Sequence, residues 1–215
     1  MLKSHLHFKS LVASTALLVA SLSLPLQAKT LTIALDLSGS NPLLIDKTFN
    51  QGAVYYVSEA ISALKQGDEV NIQTFGDLRD PTNFKQFMLP IKRHNAKKVA
   101  RQVAGFIASL PNQQKAQGST NLIAWFGRNQ FGCSNESDII VLTDGIEASE
   151  YVDPNKLLNG TQALPKPNEF VALSGCRVTF YGLGVGRRDK EVLALRRAWQ
   201  AYFTQAGATF TAVIK

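Results

Sequence analysis

Oxygen-bearing side chains follow two apolar stretches of this 215-residue chain at positions where they could bind a small cation. The sequence LTIALDLSGSN, residues 31–41, passes from a β-rich apolar run into Asp36, Ser38 and Ser40. The apolar run IIVL is followed directly by TDG, which contains Asp144. Carboxylates and hydroxyls are hard ligands, and such a set suits Mg²⁺ or Mn²⁺. These positions are therefore a candidate metal site.

A third polar segment could complete this site. The turn QGSTN contains Ser119 and Thr120 and precedes a helical pattern. Gly39 gives the first loop the backbone freedom to aim alternate side chains at one centre. If the hydroxyls bind directly and one carboxylate acts through water, a bound divalent ion keeps net positive charge and an open position for an acidic partner group. The alternative is a network of satisfied polar caps that binds no metal.

The elements that must position these residues alternate along the chain. Apolar, β-rich runs predict strands, whereas apolar residues at helical spacing predict the helices between them. The pattern indicates an α/β fold with a doubly wound, mainly parallel central sheet and helices on both faces. In such a sheet, ligands bind where the carboxyl ends of the strands meet. The predicted strands are Leu31–Leu35, Val70–Phe75, Ile139–Leu142, Val178–Leu183 and Ala208–Ile214.

The predicted helices include one whose apolar stripe runs from Ile45 to Leu64, with Asn41 as its cap and Pro42 in its first turn. Two segments have no clear element. The stretch Asp77–Arg93 could form an edge strand, a short helix or a packed loop. The stretch Glu150–Ser174 is rich in proline and reads as a long loop. The other predicted helices are Asn95–Ser109, Asn121–Phe131 and Lys190–Ala206.

The chain resembles the von Willebrand factor A domain, whose metal-ion-dependent adhesion site (MIDAS) combines an Asp-x-Ser-x-Ser loop with a distant Thr and a distant Asp. The segments that carry the resemblance are DLSGS, GST and LTDG, in this order along the chain. The chain departs from the family pattern at Asn41-Pro42, where an apolar residue is usual, and at Ser119, where glycine is common. The matching positions are Asp36, Ser38, Ser40, Thr120 and Asp144.

The resemblance implies a non-enzymatic binding module. In such a domain, the five residues would hold Mg²⁺ or Mn²⁺, and an Asp or Glu of a protein partner would complete the coordination shell. No small-molecule substrate is expected. The absence of a second domain suggests a component of a cell-envelope assembly, such as a secretion, conjugation or pilus system.

Two other functions are compatible with parts of the sequence. A magnesium-dependent phosphoester hydrolase could use Asp36 as nucleophile, but its proton donor is usually a second aspartate two residues later, and this chain has Ser38 there. A basic-face nucleic-acid-binding protein could use the run IKRHNAKKVAR at 91–101. Aromatic residues do not alternate with these basic residues, however, and such runs are usually solvated helix faces.

The first 28 residues have the pattern of a cleavable secretory signal. Lys3 and Lys9 flank a short apolar run, and cleavage after Ala28 would leave residues 29–215 as a single domain. An uncleaved anchor is the alternative. Removal of this segment leaves an expected net charge of about +5 and His94 as the only histidine. The sequence thus argues against Ser-His-Asp catalysis unless His94 serves, and it predicts a periplasmic or secreted protein.

Cys133 and Cys176 are the only cysteines. In an exported protein, such a pair is expected to form a disulfide, although two buried thiols are the alternative. Each cysteine shortly precedes a predicted parallel strand. The bridge is therefore expected at the amino ends of two neighbouring strands, opposite the candidate metal site.

Overall fold

A computed structural model describes residues 28–81, 83, 86–133 and 137–213. Its centre is a six-stranded sheet with the order β3-β2-β1-β4-β5-β6. All neighbouring strands are parallel except β3, which runs antiparallel to β2. The order 3-2-1-4-5-6 is that of a doubly wound α/β sheet, so the predicted fold class is confirmed. The strands are β1 Thr30–Asp36, β2 Glu69–Phe75, β3 Gln86–Pro90, β4 Asp138–Leu142, β5 Arg177–Tyr181 and β6 Thr209–Val213.

Helices cover both faces of the sheet and bury a separate apolar cluster on each. On one face, the first three helices pack with Ile33, Leu35 and Ile72. On the other face, the last three pack around an aromatic cluster that includes Trp125 and Trp199. The helices are α1 Pro42–Ile45, α2 Lys47–Ser62, α3 Ala96–Gln113, α4 Leu122–Arg128, α5 Pro154–Leu158 and α6 Asp189–Gln205.

The structure corrects one predicted helix and assigns elements in the two segments that the sequence left without one. The predicted helix that continues from Asn41 is two helices, because Asp46 is extended and its carboxylate accepts the Phe49 amide hydrogen at 3.0 Å, which begins α2 anew. Ile45 is consequently exposed rather than part of the buried stripe. The unassigned stretch after Asp77 contains the edge strand β3, and the long loop after Glu150 contains the short helix α5.

The amino ends of the central strands are joined covalently. Cys133 and Cys176 form a disulfide with a Cα–Cα distance of 4.9 Å, and Cys176 immediately precedes β5. Asp138, the first residue of β4, forms ion pairs with Lys29 and, at 2.6 Å, with Arg177. The bridge therefore lies at the amino ends of neighbouring parallel strands, as expected.

The direction of winding reverses between β1 and β4. The chain proceeds outward from β1 through β2 to β3 on one side, and through β4, β5 and β6 on the other. The loops that leave β1 and β4 consequently diverge and open a crevice at the carboxyl end of the sheet. Among the described residues, no helix is long and apolar enough to cross a membrane. The predicted signal segment, residues 1–27, lies outside the described residues.

Candidate metal centre

The first loop of the candidate site begins at Asp36, the last residue of β1, which is fully buried. One carboxylate oxygen, Oδ1, accepts the Ser38 amide hydrogen at 2.8 Å. The other, Oδ2, accepts the hydroxyl hydrogen of Thr143 at 2.7 Å. Both oxygens are thus fixed in direction by neutral donors, which orient the carboxylate without neutralising its charge.

The two serines of this loop lie side by side. The hydroxyl oxygens of Ser38 and Ser40 are 3.4 Å apart, and either can donate to the other. Ser38 is buried, whereas Ser40 is exposed and its hydroxyl also hydrogen-bonds to the Asp144 carboxylate. The alternate residues of the loop therefore point to the same place, as the spacing predicted.

Backbone hydrogen bonds join this loop to the segment before α4. The Gly39 amide donates to the Gln117 carbonyl oxygen at 2.8 Å, and the Gln117 amide donates to the Leu37 carbonyl oxygen at 2.9 Å. Three residues later, Thr120 exchanges two backbone hydrogen bonds with Ala148, at 3.2 and 3.0 Å. Thr120 is thereby held between the loops that follow β1 and β4.

The loop after β4 supplies the second carboxylate. Asp144 is almost fully buried, and its Oδ1 accepts the Ile146 amide hydrogen at 3.0 Å. Gly145, between them, has φ +74°, and a Cβ at this position would lie 2.3 Å from Leu183. Glycine adopts this positive φ without strain, and any larger residue would also displace the Leu183 side chain.

Asn41 closes the first loop, a role that the sequence did not reveal. Its side-chain amide donates to the carbonyl oxygens of Asp36 at 2.7 Å and Leu142 at 3.0 Å, the terminal residues of β1 and β4. Its side-chain oxygen accepts the Leu43 amide hydrogen at 3.4 Å and caps α1. The departure from the family pattern at Asn41-Pro42 therefore supports the loop instead of disrupting it. The signal available in the sequence was an Asn-Pro pair directly after the second serine.

The electrostatics of the crevice disfavour ionised carboxylates in the absence of a cation. Burial, followed by the nearby Asp144 carboxylate, raises the pKa of Asp36 to about 7. Burial also raises the pKa of Asp144, and the positive charge of Arg187 only partly opposes this. In the described part of the chain, no ion pair involves either aspartate. A divalent cation would supply the missing positive charge.

Glu147 is a third buried carboxyl group near this crevice. Its Oε2 accepts the amide hydrogens of Leu122 at 2.8 Å and Ile123 at 3.2 Å, which are donors of the first turn of α4. Burial raises its pKa to about 7. Glu147 therefore holds α4 and its preceding turn, including Thr120, against the β4 loop.

The residues present fit a hard divalent ion. Ser38, Ser40 and Thr120 line one cleft of about 460 Å³, and Asp144 contacts Ser40 beside it. The described residues contain no cluster of three or more His, Cys, Asp or Glu side chains arranged for a metal ion. A set of two carboxylates and three hydroxyls does not depend on such a cluster. Assignment of these five residues as metal ligands stays a prediction.

The structure also bears on the alternative catalytic sites. His94 is exposed in the connection from β3 to α3. Because β3 runs antiparallel to β2, with Pro90 beside Glu69, this connection lies at the amino end of the sheet. His94 is therefore at the opposite end from Ser38 and Asp36 and cannot form a Ser-His-Asp arrangement with them.

Comparison with known proteins identifies similar solved structures. No family model and no curated protein match the chain. The similar structures are of von Willebrand factor A type. They include proximal thread matrix protein 1 from the mussel byssus, with 14% identity and a TM-score of 0.45. A second is the manganese-loaded Plasmodium vivax TRAP protein, with 16% identity and a TM-score of 0.45. A third is the pilus adhesin SpaC from Lactobacillus rhamnosus GG, with 12% identity and a TM-score of 0.48.

The alignments cover most of this chain but only part of the other proteins. They include 86%, 78% and 86% of this chain, against 42%, 62% and 28% of the mussel, Plasmodium and Lactobacillus proteins. The chain thus spans less than two thirds of each. At these identities and TM-scores, the activities of the whole proteins do not transfer to this chain. The fold assignment stands on the strand order and the position of the crevice.

Proposed function

We propose that this chain is a non-enzymatic binding module that docks an acidic group of a protein partner through a divalent cation, Mg²⁺ or Mn²⁺. The proposed ligands are Asp36, Ser38, Ser40, Thr120 and Asp144. One observation carries the proposal. Two buried carboxylates lie together at the switch point of the sheet, and among the described residues no cation pairs with them.

The bound cation would supply positive charge to a site that otherwise disfavours ionised carboxylates. The chain's own residues orient the oxygens around it. Ser38 and Thr143 fix the two oxygens of Asp36, and the Ile146 amide fixes one oxygen of Asp144. Ser40 is exposed at the mouth of the cleft, so an incoming carboxylate would approach on this side. If the hydroxyls bind the ion directly and one carboxylate acts through water, the ion would keep net positive charge and would attract an acidic group.

Isothermal titration calorimetry with MgCl₂ and MnCl₂ tests the metal site. Asp36→Ala and Asp144→Ala are each expected to weaken binding at least a hundredfold. Asp189→Ala, an exposed carboxylate in the first turn of α6, is the matched control and should bind as the wild type does. Equal binding by all four proteins would refute the site. Turnover of a generic phosphoester that disappears in Asp36→Ala would instead identify an enzyme.

We further propose that the protein is exported, with cleavage after Ala28, and acts in a cell-envelope assembly. A chain that begins at Lys29 keeps two contacts near its new end. The Lys29 backbone nitrogen lies 3.0 Å from Asp68 Oδ1, and the side chain pairs with Asp138. Intact-mass measurement of the protein from its native host tests the cleavage site, and a chain that retains residues 1–28 would contradict it. Capture of envelope partners that is lost with a chelator would support the docking role.

A further inference from the structure

The two edges of the sheet differ in the apolar surface that they expose. The edge strand β3 exposes Phe87 by 50% and Met88 by 45%. The opposite edge strand, β6, has no exposed large apolar residue, and Phe210 within it is buried. Natural proteins usually protect sheet edges with charges, bulges or cover, because an open edge can pair with another strand. Because it is apolar and no other described strand pairs with its outer side, β3 is suited to receive a strand.

A groove runs along the inner side of this edge. The register pairs Ile72 with Phe87, so both side chains lie on the face that α3 covers. Val103 and Phe106 of α3 form the opposite wall, and the Phe87 and Phe106 ring centroids are 6.4 Å apart. The groove encloses about 260 Å³. This is below the roughly 300 Å³ that small-molecule sites start from, and it suits one or two inserted side chains.

The charged residues of β3, α3 and the segments that flank them in the sequence have one sign. From Pro81 to Cys133 the sequence contains eight Lys and Arg residues and no Asp or Glu. Lys98 and Gln102 precede Phe106 by eight and four residues on α3, so Lys98 continues the row of side chains that walls the groove. Among the described ion pairs, none involves the exposed basic residues beside β3, which are Lys92, Arg93, Lys97, Lys98 and Arg101.

From these features we infer that β3 and the groove form a second docking surface, which binds an extended, acidic segment of a partner protein. The segment pairs its backbone with β3, inserts an apolar side chain beside Phe87 and Phe106, and places its carboxylates near Lys98. This recognition mode combines strand addition with pockets for alternate side chains. The surface is distinct from the proposed metal site, which lies at the carboxyl ends of β1 and β4.

Charge and backbone chemistry select this occupant over others. A second copy of the chain would bring two basic rims together, and like charges across an interface are unfavourable. A lipid bilayer would leave the outward backbone groups of β3 without hydrogen-bond partners in the hydrocarbon region. An acidic extended segment satisfies the backbone groups and the charges together.

The test uses the synthetic peptide acetyl-ELEFELE-amide, whose alternation places its apolar residues on one face of a strand. Binding is measured at low salt by ¹⁵N chemical-shift titration in the presence of EDTA. We expect the amide resonances of β3 to shift, and the affinity to fall at least tenfold in Phe87→Ala and in Lys98→Glu. Arg197→Glu, a charge reversal on an exposed face of α6, is the matched control and should bind as the wild type does.

The lysine analogue, acetyl-KLKFKLK-amide, should not bind. Equal binding of both peptides, or unchanged binding in Phe87→Ala and Lys98→Glu, would overturn the proposal. Binding to phosphatidylglycerol vesicles or to an oligonucleotide in place of the acidic peptide would overturn it too, as would concentration-dependent dimers that Phe87→Ala abolishes. The peptide test is independent of the proposed metal site, because EDTA is present and Asp36→Ala should still bind the peptide. A failure of peptide binding can therefore be distinguished from a failure of metal binding.

Discussion

Carboxylates at the two ends of the parallel sheet have pKa values shifted in opposite directions. At the amino end, burial raises the pKa of Asp138, but hydrogen bonds from Arg177 and Lys29 outweigh burial and hold this pKa below its usual value. At the carboxyl end, burial and Asp144 raise the pKa of Asp36 to about 7, and hydrogen bonds from Thr143 and Ser38 only partly offset them. The carboxylate at the amino end therefore has ion pairs with the protein's own cations, whereas at the carboxyl end Arg187 lowers the pKa of Asp144 without forming a described ion pair.

This difference separates an end that is cross-linked from the end where we propose that a cation binds. At the amino end, the disulfide and the ion pairs of Asp138 fix neighbouring strands. At the carboxyl end, neutral donors orient the carboxylates, and no described lysine or arginine forms an ion pair with them. Buried charge without a partner is unfavourable unless a ligand offsets it. A cation bound at the carboxyl end, as we propose, would offset this cost.

The largest expected effect comes from removing the covalent link at the amino end. Replacing both Cys133 and Cys176 by Ala should lower the free energy of unfolding by about 4 kcal/mol in the chain-entropy model, because the bridge closes a loop with a sequence separation of 43. Urea denaturation measures this change. Calorimetry should show unchanged metal affinity. A tenfold loss of metal affinity would show that the two ends are coupled.

The second effect concerns pH at the carboxyl end. With EDTA present, the titration of Asp36 alone should lower the free energy of unfolding by about 3 kcal/mol between pH 5 and pH 8, since one pKa unit corresponds to about 1.4 kcal/mol. Asp36 has a folded-state pKa of about 7 and a usual value of 3.8. The protonated form therefore stabilises the fold fully below pH 3.8, and this contribution is lost as pH rises through about 7.

Asp36→Asn should reduce this decline, because the neutral amide carries no buried charge at any of these pH values. Glu147→Gln should remove a further part, since burial also raises the pKa of Glu147 to about 7. Urea denaturation across the pH range measures both variants. A decline that is identical in the wild type and both variants would show that other groups cause it.

The smallest effect is expected from Asp138→Asn at the amino end. Because Asp138 is partly exposed, solvent screens its ion pairs, and we expect a loss of about 1 kcal/mol at pH 7. The lowered pKa makes this contribution present above pH 3.8 and lost as pH falls through the folded-state value. Urea denaturation at pH 7 and pH 3 should therefore show a smaller difference at pH 3. A loss of metal affinity in this variant would contradict the separation of the two ends.

The sequence predicted the central strands well because their apolar runs are buried in the sheet. The prediction for β1, Leu31–Leu35, lies within the observed Thr30–Asp36. Periodicity could not assign β3, because its residues are mostly exposed and show no alternation of buried and exposed positions. It also could not show that Asp46 restarts a helix, since the apolar spacing continues across that break.

For the candidate site, the residue types and loop positions were available from the sequence, whereas the supports were not. The second acceptor of Asn41 is the carbonyl oxygen of Leu142, which is 101 residues away. Glu147 accepts from Leu122, which is 25 residues away. Neither pairing has a local sequence pattern. Such contacts follow from the strand order, which brings the loops after β1 and β4 together.

The role of Asn41 bears on which substitutions the first loop can accept during evolution. The first loop is held by Asn41 and by backbone hydrogen bonds to Gln117, none of which uses the side chains of Ser38 or Ser40. The residues that fix the backbone of the loop are therefore different from the serines that we propose as metal ligands. Replacement of a serine by aspartate or asparagine would alter the charge and the ion preference of the crevice while the loop kept its course.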